Sequence, residues 1–290
     1  MLRILLTGGN GFIGRNLQEA WRGRYDVTAP STGELDLLDA TAIREFLSSE
    51  RFDIVVHSAT WNATVTSTRD LAKVFENNCR MFFNLERMRG SYGRLISYGS
   101  GAEYDRLNMT PSVSEECFDA NVPTDGYGHS KYLIAKAIER TDRFYNLRLF
   151  GVFGKHEDWR IRFISHACCR AIWDLPITIR QNVFFDYLAV SDLARLTEWF
   201  FESDPRYKTY NVCTGSRVDL LTLARIVIEV SGKQLAIQVG QPGLAREYTG
   251  CNSRLLAEVP GCSFAPLRGA IEQLYHWYEE AKESIAPSLL

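Results

Sequence analysis

The first fourteen residues constrain the fold of this chain more than any other segment. An apolar run at 4–6 leads into Thr7 and then into glycines at 8, 9, 11 and 14, and residues 15–21 have a helical pattern. Strand, glycine turn and helix in this order place a pyrophosphate on a helix N-terminus. Gly8 permits the tight turn, Gly11 lets backbone N–H groups approach the phosphates, and Gly14 lets the helix pack closely. The segment therefore predicts a dinucleotide-binding loop.

The spacing of this loop leaves an alternative. Gly8, Gly11 and Gly14 are spaced one residue more widely than in the common dinucleotide fingerprint. A tight strand-to-helix turn that binds nothing would show the same glycines. The position of the motif, directly after a strand and before a helix, favours cofactor binding.

Composition excludes several classes of protein. The chain has 290 residues and a net charge of −2, which suits one large α/β domain or a domain with a lobe and gives no support for nucleic-acid or membrane partners. No apolar run reaches the ~18 residues that span a bilayer, and no signal peptide is recognised before the first strand, so we expect a cytoplasmic protein. The seven cysteines form no CxxC pair and the five histidines show no ligand spacing. We therefore expect reduced thiols and no structural metal.

Apolar strand patterns alternate with helical patterns in the first half of the chain. Such alternation predicts a doubly wound parallel sheet of the Rossmann type, an α/β fold, with all strand C-termini at one rim. The predicted strands are 4–6, 25–29, 53–58, 94–97 and 145–149, and the predicted helices are 15–21, 40–49, 70–88 and 128–140.

The pattern loosens after Gly154. Helices are predicted at 160–171, 191–201, 220–230 and 269–282, and extended segments at 176–179, 184–190 and 210–212. We expect a dinucleotide-binding domain over 1–150 with a return segment near 183–212. Residues 151–182 and 213–290 would form a smaller substrate-binding lobe.

Two further motifs carry chemistry. Tyr127 and Lys131 lie one turn apart at the start of a predicted helix. A free tyrosine has a pKa of about 10, and a neighbouring ammonium favours its phenolate. Ser100 lies in a glycine-rich loop that leaves a buried strand, where it can donate a hydrogen bond to a substrate oxygen. Taken alone, the tyrosine–lysine pair could be a chance pair on an amphipathic helix, and Ser100 could be an ordinary turn residue.

Taken together, the motifs resemble the extended short-chain dehydrogenase/reductase family, which comprises nucleotide-sugar epimerases, dehydratases and reductases. The resemblance covers nearly the whole chain. It includes the glycine loop, Asp36-Leu37, His57-Ser58-Ala59, Asn78 with Asn84, Ser100 with Tyr104, Tyr127-x-x-Ser130-Lys131, the segment 147–154, Val190-Ser191-Asp192 and Tyr210-Asn211-Val212.

The resemblance implies a role for each motif. Tyr127 would exchange a proton with a sugar oxygen, Ser100 would bond the same oxygen, and Lys131 would assist Tyr127 and bind the nicotinamide ribose. Asp36 and Leu37 would face the adenine. The implied cofactor-binding set is Thr7, Gly8, Asn10, Gly11, Phe12, Ile13, Gly14, Ser31, Thr32, Asp36, Leu37, Ser58, Ala59, Thr60, Asn78, Ser97, Tyr127 and Lys131.

Positions at which the chain differs from members of this family reduce the number of reactions that it could catalyse. The 4,6-dehydratases carry an Asp-Glu pair after the catalytic Ser or Thr, where this chain has Gly101 and Ala102, which cannot move a proton. Glu103 is displaced by one residue and would point the other way in an extended loop. Dehydration is therefore disfavoured.

The GDP-fucose synthases share the segment 34–39 but use a cysteine for epimerisation at the position of Ala102, and neither His156 nor His166 aligns with their acid. The sequence therefore favours a reductase that acts on a nucleotide-linked 4-keto-6-deoxy sugar. A nucleotide-sugar 4-epimerase with tightly bound NAD is the alternative, and a non-catalytic dinucleotide sensor is a further one.

Charge near the second strand favours NADP over NAD. NAD enzymes place an acid at the end of this strand, but here residues 27–32 contain none and the next acid is Glu34, so Ser31 and Thr32 could bind a 2′-phosphate. The substrate diphosphate should meet basic residues of the second lobe, for which Arg162, Arg180 and Arg246 are candidates.

The family resemblance also implies a homodimer, built from the helices at 70–88 and 128–140. Val74, Phe82 and Leu133 could serve that interface or belong to the core.

Overall fold

The computed structural model describes residues 1–62, 64 and 66–290 as helices and strands that alternate through most of the chain. In chain order these are β1 (Arg3–Thr7), α1 (Phe12–Trp21), β2 (Asp26–Thr28), α2 (Ala40–Ser49), β3 (Phe52–His57), α3 (Val74–Arg87), β4 (Tyr92–Ser100), α4 (Gly126–Glu139), β5 (Phe144–Leu149), β6 (Gly151–Phe153), α5 (Phe163–Ile172), β7 (Ile177–Asn182), β8 (Phe184–Ala189), α6 (Val190–Glu202), β9 (Thr209–Val212), β10 (Arg217–Asp219), α7 (Leu220–Ser231), β11 (Ile237–Leu244), α8 (Ser253–Glu258) and α9 (Leu267–Glu280). Short 3-10 turns span Leu71–Lys73, Gly101–Tyr104, Glu115–Cys117, Lys282–Ser284 and Pro287–Leu289.

A parallel sheet of six strands lies at the centre, in the order β2-β1-β3-β4-β5-β9. Its inner strand β1 is apolar on both faces. In β1, Ile4 and Leu6 pack into one apolar cluster, whereas Leu5 packs into the cluster on the opposite face. The chain order reverses between β1 and β3, and in such sheets the ligand crevice lies at the carboxyl ends of the strands at this point.

Helices cover both faces of the sheet, which confirms the predicted doubly wound α/β fold. α1 and α6 contribute Leu17, Trp21 and Phe200 to one face. α2, α3 and α4 cover the other face, where Phe82 is fully buried. Val74 is also buried, so these two candidates for a dimer interface belong to the core of the single chain.

A third apolar cluster forms in the C-terminal part of the chain, between α5, α7 and α9. β8 pairs with β6 and β10 in a small sheet, while β11 pairs with β7. β9 lies beside β5 in the central sheet. The domain boundaries expected from the sequence stay a prediction.

Some elements depart from the sequence patterns. The helix expected at 160–171 begins at Phe163, and β4 continues to Ser100. The strands β6, β10 and β11 and helix α8 were not predicted. β11 contains Gly240, Pro242 and Gly243, which disfavour strands in isolation. Within the described residues, every helix is too short or too polar to traverse a bilayer.

Candidate functional site

The glycine loop between β1 and α1 depends on the absence of side chains. Gly8 has a φ of +72°, and a Cβ atom there would lie 2.7 Å from the Ala59 backbone. A Cβ at Gly14 would lie 2.3 Å from the carbonyl oxygen of Gly8. Gly11 precedes α1 and donates its N–H to the Gly8 carbonyl oxygen at 3.0 Å.

The N-terminus of α1 fits an anion. No side chain caps it, and its first turn carries no acidic residue. Asn10 and Gly11 are exposed, and Phe12 and Ile13 are half-buried. Free backbone N–H groups and the helix dipole at such a terminus favour negative charge. These residues therefore fit the pyrophosphate of a dinucleotide.

The strand ends beside this loop are tied together. The Thr7 hydroxyl is hydrogen-bonded to Nδ1 of His57 at 2.9 Å and accepts the N–H of Ala59 at 3.3 Å. Burial lowers the pKa of His57 to about 3, and the Lys131 ammonium adds to this effect. Thr7 is buried, so its side chain positions the loop and offers little surface to a ligand.

The segment after β3 is held by α3. Oδ1 of Asn78 accepts the backbone N–H of Trp61 at 2.7 Å and the Thr60 hydroxyl at 3.2 Å. Ser58, Ala59 and Thr60 are half-buried at the rim of the sheet. Asn78 is buried and fixes the backbone on this side of the crevice, and its expected contact with the cofactor stays a prediction.

The residues that were expected to lie near the adenosine half of the cofactor differ in their exposure. Leu37 is buried in the core, and Asn84 donates to its carbonyl oxygen at 3.0 Å. Asp36 is exposed. Thr32 is exposed and Ser31 half-buried, but the backbone N–H of Ser31 donates to the Glu34 carboxylate at 2.7 Å.

The Glu34 carboxylate lies close to the residues that were expected to bind a 2′-phosphate. The sequence has no acid at the end of β2, yet the chain turns back and places the Glu34 carboxylate at Ser31. This hydrogen bond lowers the pKa of Glu34 and keeps it ionised. A negative charge here would repel a 2′-phosphate, whereas the Ser31 and Thr32 hydroxyls could bind one, so the preference for NADP over NAD stays a prediction.

Ser100 lies where β4 ends, at the start of the turn Gly101–Tyr104. Its hydroxyl oxygen accepts the N–H of Ala102 at 3.2 Å, and its own N–H donates to the Glu103 carboxylate at 2.9 Å. These reciprocal bonds form a capping box, which fixes the backbone of Ser100.

Tyr127 and Lys131 lie in the first turns of α4. The Asp125 carboxylate caps this helix by accepting the N–H of Gly128 at 2.8 Å. Lys131 is 5% exposed and donates to the carbonyl oxygen of Tyr98 at 2.8 Å, so its ammonium is anchored on β4. Its Nζ lies 6.0 Å from the Tyr127 ring centroid, and Tyr127 stays half-buried.

The α4 helix reaches this place because residue 128 is a glycine. A Cβ atom at Gly128 would lie 2.8 Å from the carbonyl oxygen of Ala102. The structure thus brings the Ser100 turn and the Tyr127–Lys131 turn into contact at one rim. Ser97, by contrast, is fully buried and its hydroxyl finds no hydrogen-bond partner among the described residues, and its expected contact with the cofactor stays a prediction.

Glu103 has a different role from the one that an extended loop would give it. The loop is a 3-10 turn, and Glu103 is fully buried in an ion pair with Arg148. Asn146 donates to the same carboxylate at 3.0 Å, and Arg148 donates to the Tyr104 hydroxyl at 2.9 Å. The pair supports the turn that carries Ser100 from beneath.

Sequence reasoning missed two residues near this centre. The Tyr248 hydroxyl lies 3.3 Å from the Ser100 hydroxyl, although 148 residues separate them. The Arg106 guanidinium lies over the Tyr127 ring, 5.9 Å from its centroid. Neither residue belongs to a recognisable motif, so no signal in the sequence could have found them.

The three candidate diphosphate arginines belong to different segments of the chain. All are exposed, Arg162 before α5, Arg180 on β7, and Arg246 shortly after β11. Arg246 donates to the carbonyl oxygen of Leu107 and lies two residues before Tyr248. Arg246 is therefore the one that a described contact brings beside the Ser100 turn.

The fold and this rim define a class of protein. A glycine loop that fits a pyrophosphate opens a doubly wound sheet, and the turn that begins at Ser100 contacts the helix that carries Tyr127 and Lys131 at the carboxyl end of its strands. Residues 4–213 match the NAD dependent epimerase/dehydratase family, and the chain belongs to that family. This match confirms the resemblance recognised in the sequence.

Relatives within the family differ in activity. A UDP-glucose 4-epimerase from Lacticaseibacillus casei is 29% identical over 286 residues, which cover 82% of this chain and 84% of the relative. A GDP-L-fucose synthetase from Naegleria fowleri bound to NADP superposes with a TM-score of 0.85 at 17% identity, over 97% of this chain and 94% of that one. A GDP-mannoheptose C4 reductase from Campylobacter jejuni with NADP bound gives a TM-score of 0.82 at 18% identity, over 96% and 98%. The structural likenesses show a shared fold.

Proposed function

We propose that this chain is an NAD(P)-dependent oxidoreductase that reduces a nucleotide-linked 4-keto-6-deoxy sugar. The observation that carries the proposal is the meeting of Ser100, Tyr127 and Lys131 at the carboxyl rim, with Gly101 and Ala102 buried where an eliminating enzyme needs acids. The reductases and synthetase that share the fold act on nucleotide sugars, which supports this substrate class.

Each residue of the candidate site has its own role in the proposed reaction. Tyr127 gives a proton from its hydroxyl to the sugar oxygen as that oxygen gains charge. Ser100 donates a hydrogen bond to the same oxygen, and Lys131 contributes a buried positive charge. The glycine loop, with Asn10, Phe12 and Ile13, would hold the cofactor pyrophosphate, and Asp36, Thr60 and Asn78 would flank the rest of it. When bound, the nicotinamide supplies or accepts the hydride.

Several side chains that other reactions need are committed elsewhere. Glu103 is tied to Arg148 and does not face the crevice. His156 is hydrogen-bonded to Glu19 of α1 at 2.6 Å, and His166 to the carbonyl oxygen of Trp159 at 3.1 Å. These contacts support a reduction without elimination and without histidine-assisted epimerisation.

A 4-epimerase with tightly bound NAD is the second candidate. The Glu34 carboxylate beside Ser31 favours it, because an acid at this place suits the free ribose hydroxyls of NAD. The 4-epimerase activity of the Lacticaseibacillus casei relative points the same way. Its proton chemistry would use the same Ser100 and Tyr127.

A substrate panel separates the candidates. The purified protein is given nucleotide-linked 4-keto-6-deoxy sugars and 4-hydroxy sugars, each with NADPH or NADH, while cofactor absorbance and sugar products are followed. Stoichiometric cofactor oxidation with a keto sugar is the expected result. Interconversion of two sugars with no net cofactor use would instead establish the epimerase. Cofactor binding with no turnover of any sugar would overturn both and favour a sensor.

A further inference from the structure

The Ser100 hydroxyl has a neighbour from a distant part of the chain. The Tyr248 hydroxyl lies 3.3 Å from it, and among the described residues Ser100 is its one hydrogen-bond partner. Tyr248 belongs to the segment that follows β11, whereas Ser100 ends β4. The contact therefore joins the C-terminal part of the chain to the centre of the crevice.

Tyr248 is held in place by its backbone and its ring. Its N–H donates to the carbonyl oxygen of Phe184 at 2.9 Å, and its carbonyl oxygen accepts the N–H of Asp186 at 3.3 Å. Its ring packs against Phe150, with centroids 5.3 Å apart, and against Phe185 at 6.0 Å. These contacts fix the direction in which the hydroxyl points.

The turn beside Ser100 leaves room for this tyrosine. A Cβ atom at Gly101 would lie 2.8 Å from the Tyr248 hydroxyl oxygen and 2.7 Å from the Phe150 ring. The position at which dehydratases of this family carry an aspartate is thus taken up by two aromatic side chains. The Tyr248 side chain can occupy this position because residue 101 has no side chain.

Hydrogen-bond capacity gives the contact its chemical meaning. A serine hydroxyl has one proton to donate and two lone pairs that accept. The N–H of Ala102 occupies one lone pair of Ser100. If Tyr248 donates to the second, the Ser100 proton has no acceptor in this pair and is free for a substrate oxygen. Burial raises the pKa of Tyr248 to about 12, so its proton stays available as a donor.

We propose that Tyr248 is a positioning residue, whose hydroxyl donates to Ser100 and directs the Ser100 proton at the carbonyl oxygen of the sugar. The inference rests on the proposed function, because it needs a substrate oxygen in front of Ser100. It predicts that Tyr248 acts through Ser100 and not independently of it.

A double-mutant cycle tests this coupling. Tyr248→Phe keeps the ring and removes the hydroxyl, so folding should be preserved. We expect kcat to fall roughly 10- to 100-fold with little change in KM, since a hydrogen bond that strengthens in the transition state is weakened. In a Ser100→Ala background the same change should have almost no further effect. Tyr187→Phe, a half-buried tyrosine of β8, is the matched control and should leave kcat unchanged.

The outcomes separate this inference from the proposed function. An unchanged kcat in Tyr248→Phe, or losses that multiply in the double variant, would overturn the positioning role while the activity of the wild type upholds the proposed function. A wild type that turns over no nucleotide sugar would overturn both.

Crystal structures of the wild type and Tyr248→Phe give a readout without turnover. The Ser100 hydroxyl should contact Tyr248 in the first and change rotamer or gain a water partner in the second, and a wild-type Tyr248 hydroxyl turned away from Ser100 would contradict the inference.

Discussion

Glu103 lies close to the proposed catalytic serine in sequence, yet its carboxylate contributes to the fold and does not face the crevice. Glu103 and Arg148 are both almost completely buried and form an ion pair, in which Asn146 also donates to Glu103 and Arg148 donates to the Tyr104 hydroxyl. Removing one partner of such a pair leaves an uncompensated buried charge and costs about 3–5 kcal/mol. The strand ends and the Ser100 turn are therefore fixed before any ligand arrives.

Glu157 is a second buried carboxyl, and among the described residues none forms a salt bridge with it, although the Arg162 charge acts on it from farther away. It is 8% exposed and accepts the Ser165 hydroxyl at 2.7 Å. Burial raises its pKa from 4.5 to about 8. The folded chain therefore holds a proton that the unfolded chain releases above pH 4.5, so Glu157 makes the fold less stable as the pH rises from 4.5 to 8.

We expect Glu157→Gln to stabilise the protein at neutral pH. The amide needs no proton to stay neutral, so the variant should gain up to about 3 kcal/mol at pH 7 and almost nothing at pH 4.5. Urea unfolding at several pH values measures this difference. Glu272→Gln, on the exposed face of α9, is the control and should shift stability little at any pH. A difference between wild type and Glu157→Gln that does not grow with pH would refute the assignment.

At the scale of elements, the site depends on how closely α4 approaches the end of β4. Gly128 allows this approach, because a Cβ there would meet the Ala102 carbonyl oxygen, the Asp125 carboxylate and Pro123, each at 2.8 Å. Gly126 lies in the same turn, and a Cβ there would meet only Phe75, at 3.6 Å, which is an ordinary contact. Substitutions at Gly128 and Gly126 can therefore be compared as test and control.

We expect Gly128→Ala to destabilise the protein by about 1–3 kcal/mol, as overpacking of a tight contact does. It should also lower turnover, because moving α4 separates Tyr127 from Ser100. Gly126→Ala should change both quantities little. Thermal unfolding and steady-state turnover of the two variants measure this, and equal behaviour of the pair would show that the close approach is unimportant.

Much of the element order was predictable, and the exceptions have physical causes. Apolar runs buried on both faces gave β1, β3 and β5, and α2 was predicted over its observed span. β11 was missed because Gly240, Pro242 and Gly243 disfavour a strand, which forms here by pairing with β7. Local pattern does not encode such tertiary pairing.

At the scale of the whole molecule, contacts between distant segments explain why the candidate site could be predicted only in part. The glycine loop, Ser100, Tyr127 and Lys131 lie in short local motifs, so sequence reasoning could name them. Tyr248, Arg106 and the Glu103–Arg148 pair become neighbours of these motifs only when β4, β5 and the segment after β11 come together. Sequence reasoning also missed the hydrogen bond between Ser31 and Glu34, which forms in the turn after β2. The preference for NADP over NAD stays a prediction.

The proton transfer by Tyr127 is the central claim of this account. Its most direct test is turnover of a nucleotide-linked keto sugar by Tyr127→Phe, measured together with cofactor affinity. The account predicts that kcat falls by roughly 10²- to 10⁴-fold, as for loss of a general acid. Cofactor affinity should stay within about twofold, because the glycine loop holds the pyrophosphate. Turnover equal to that of the wild type would contradict the account.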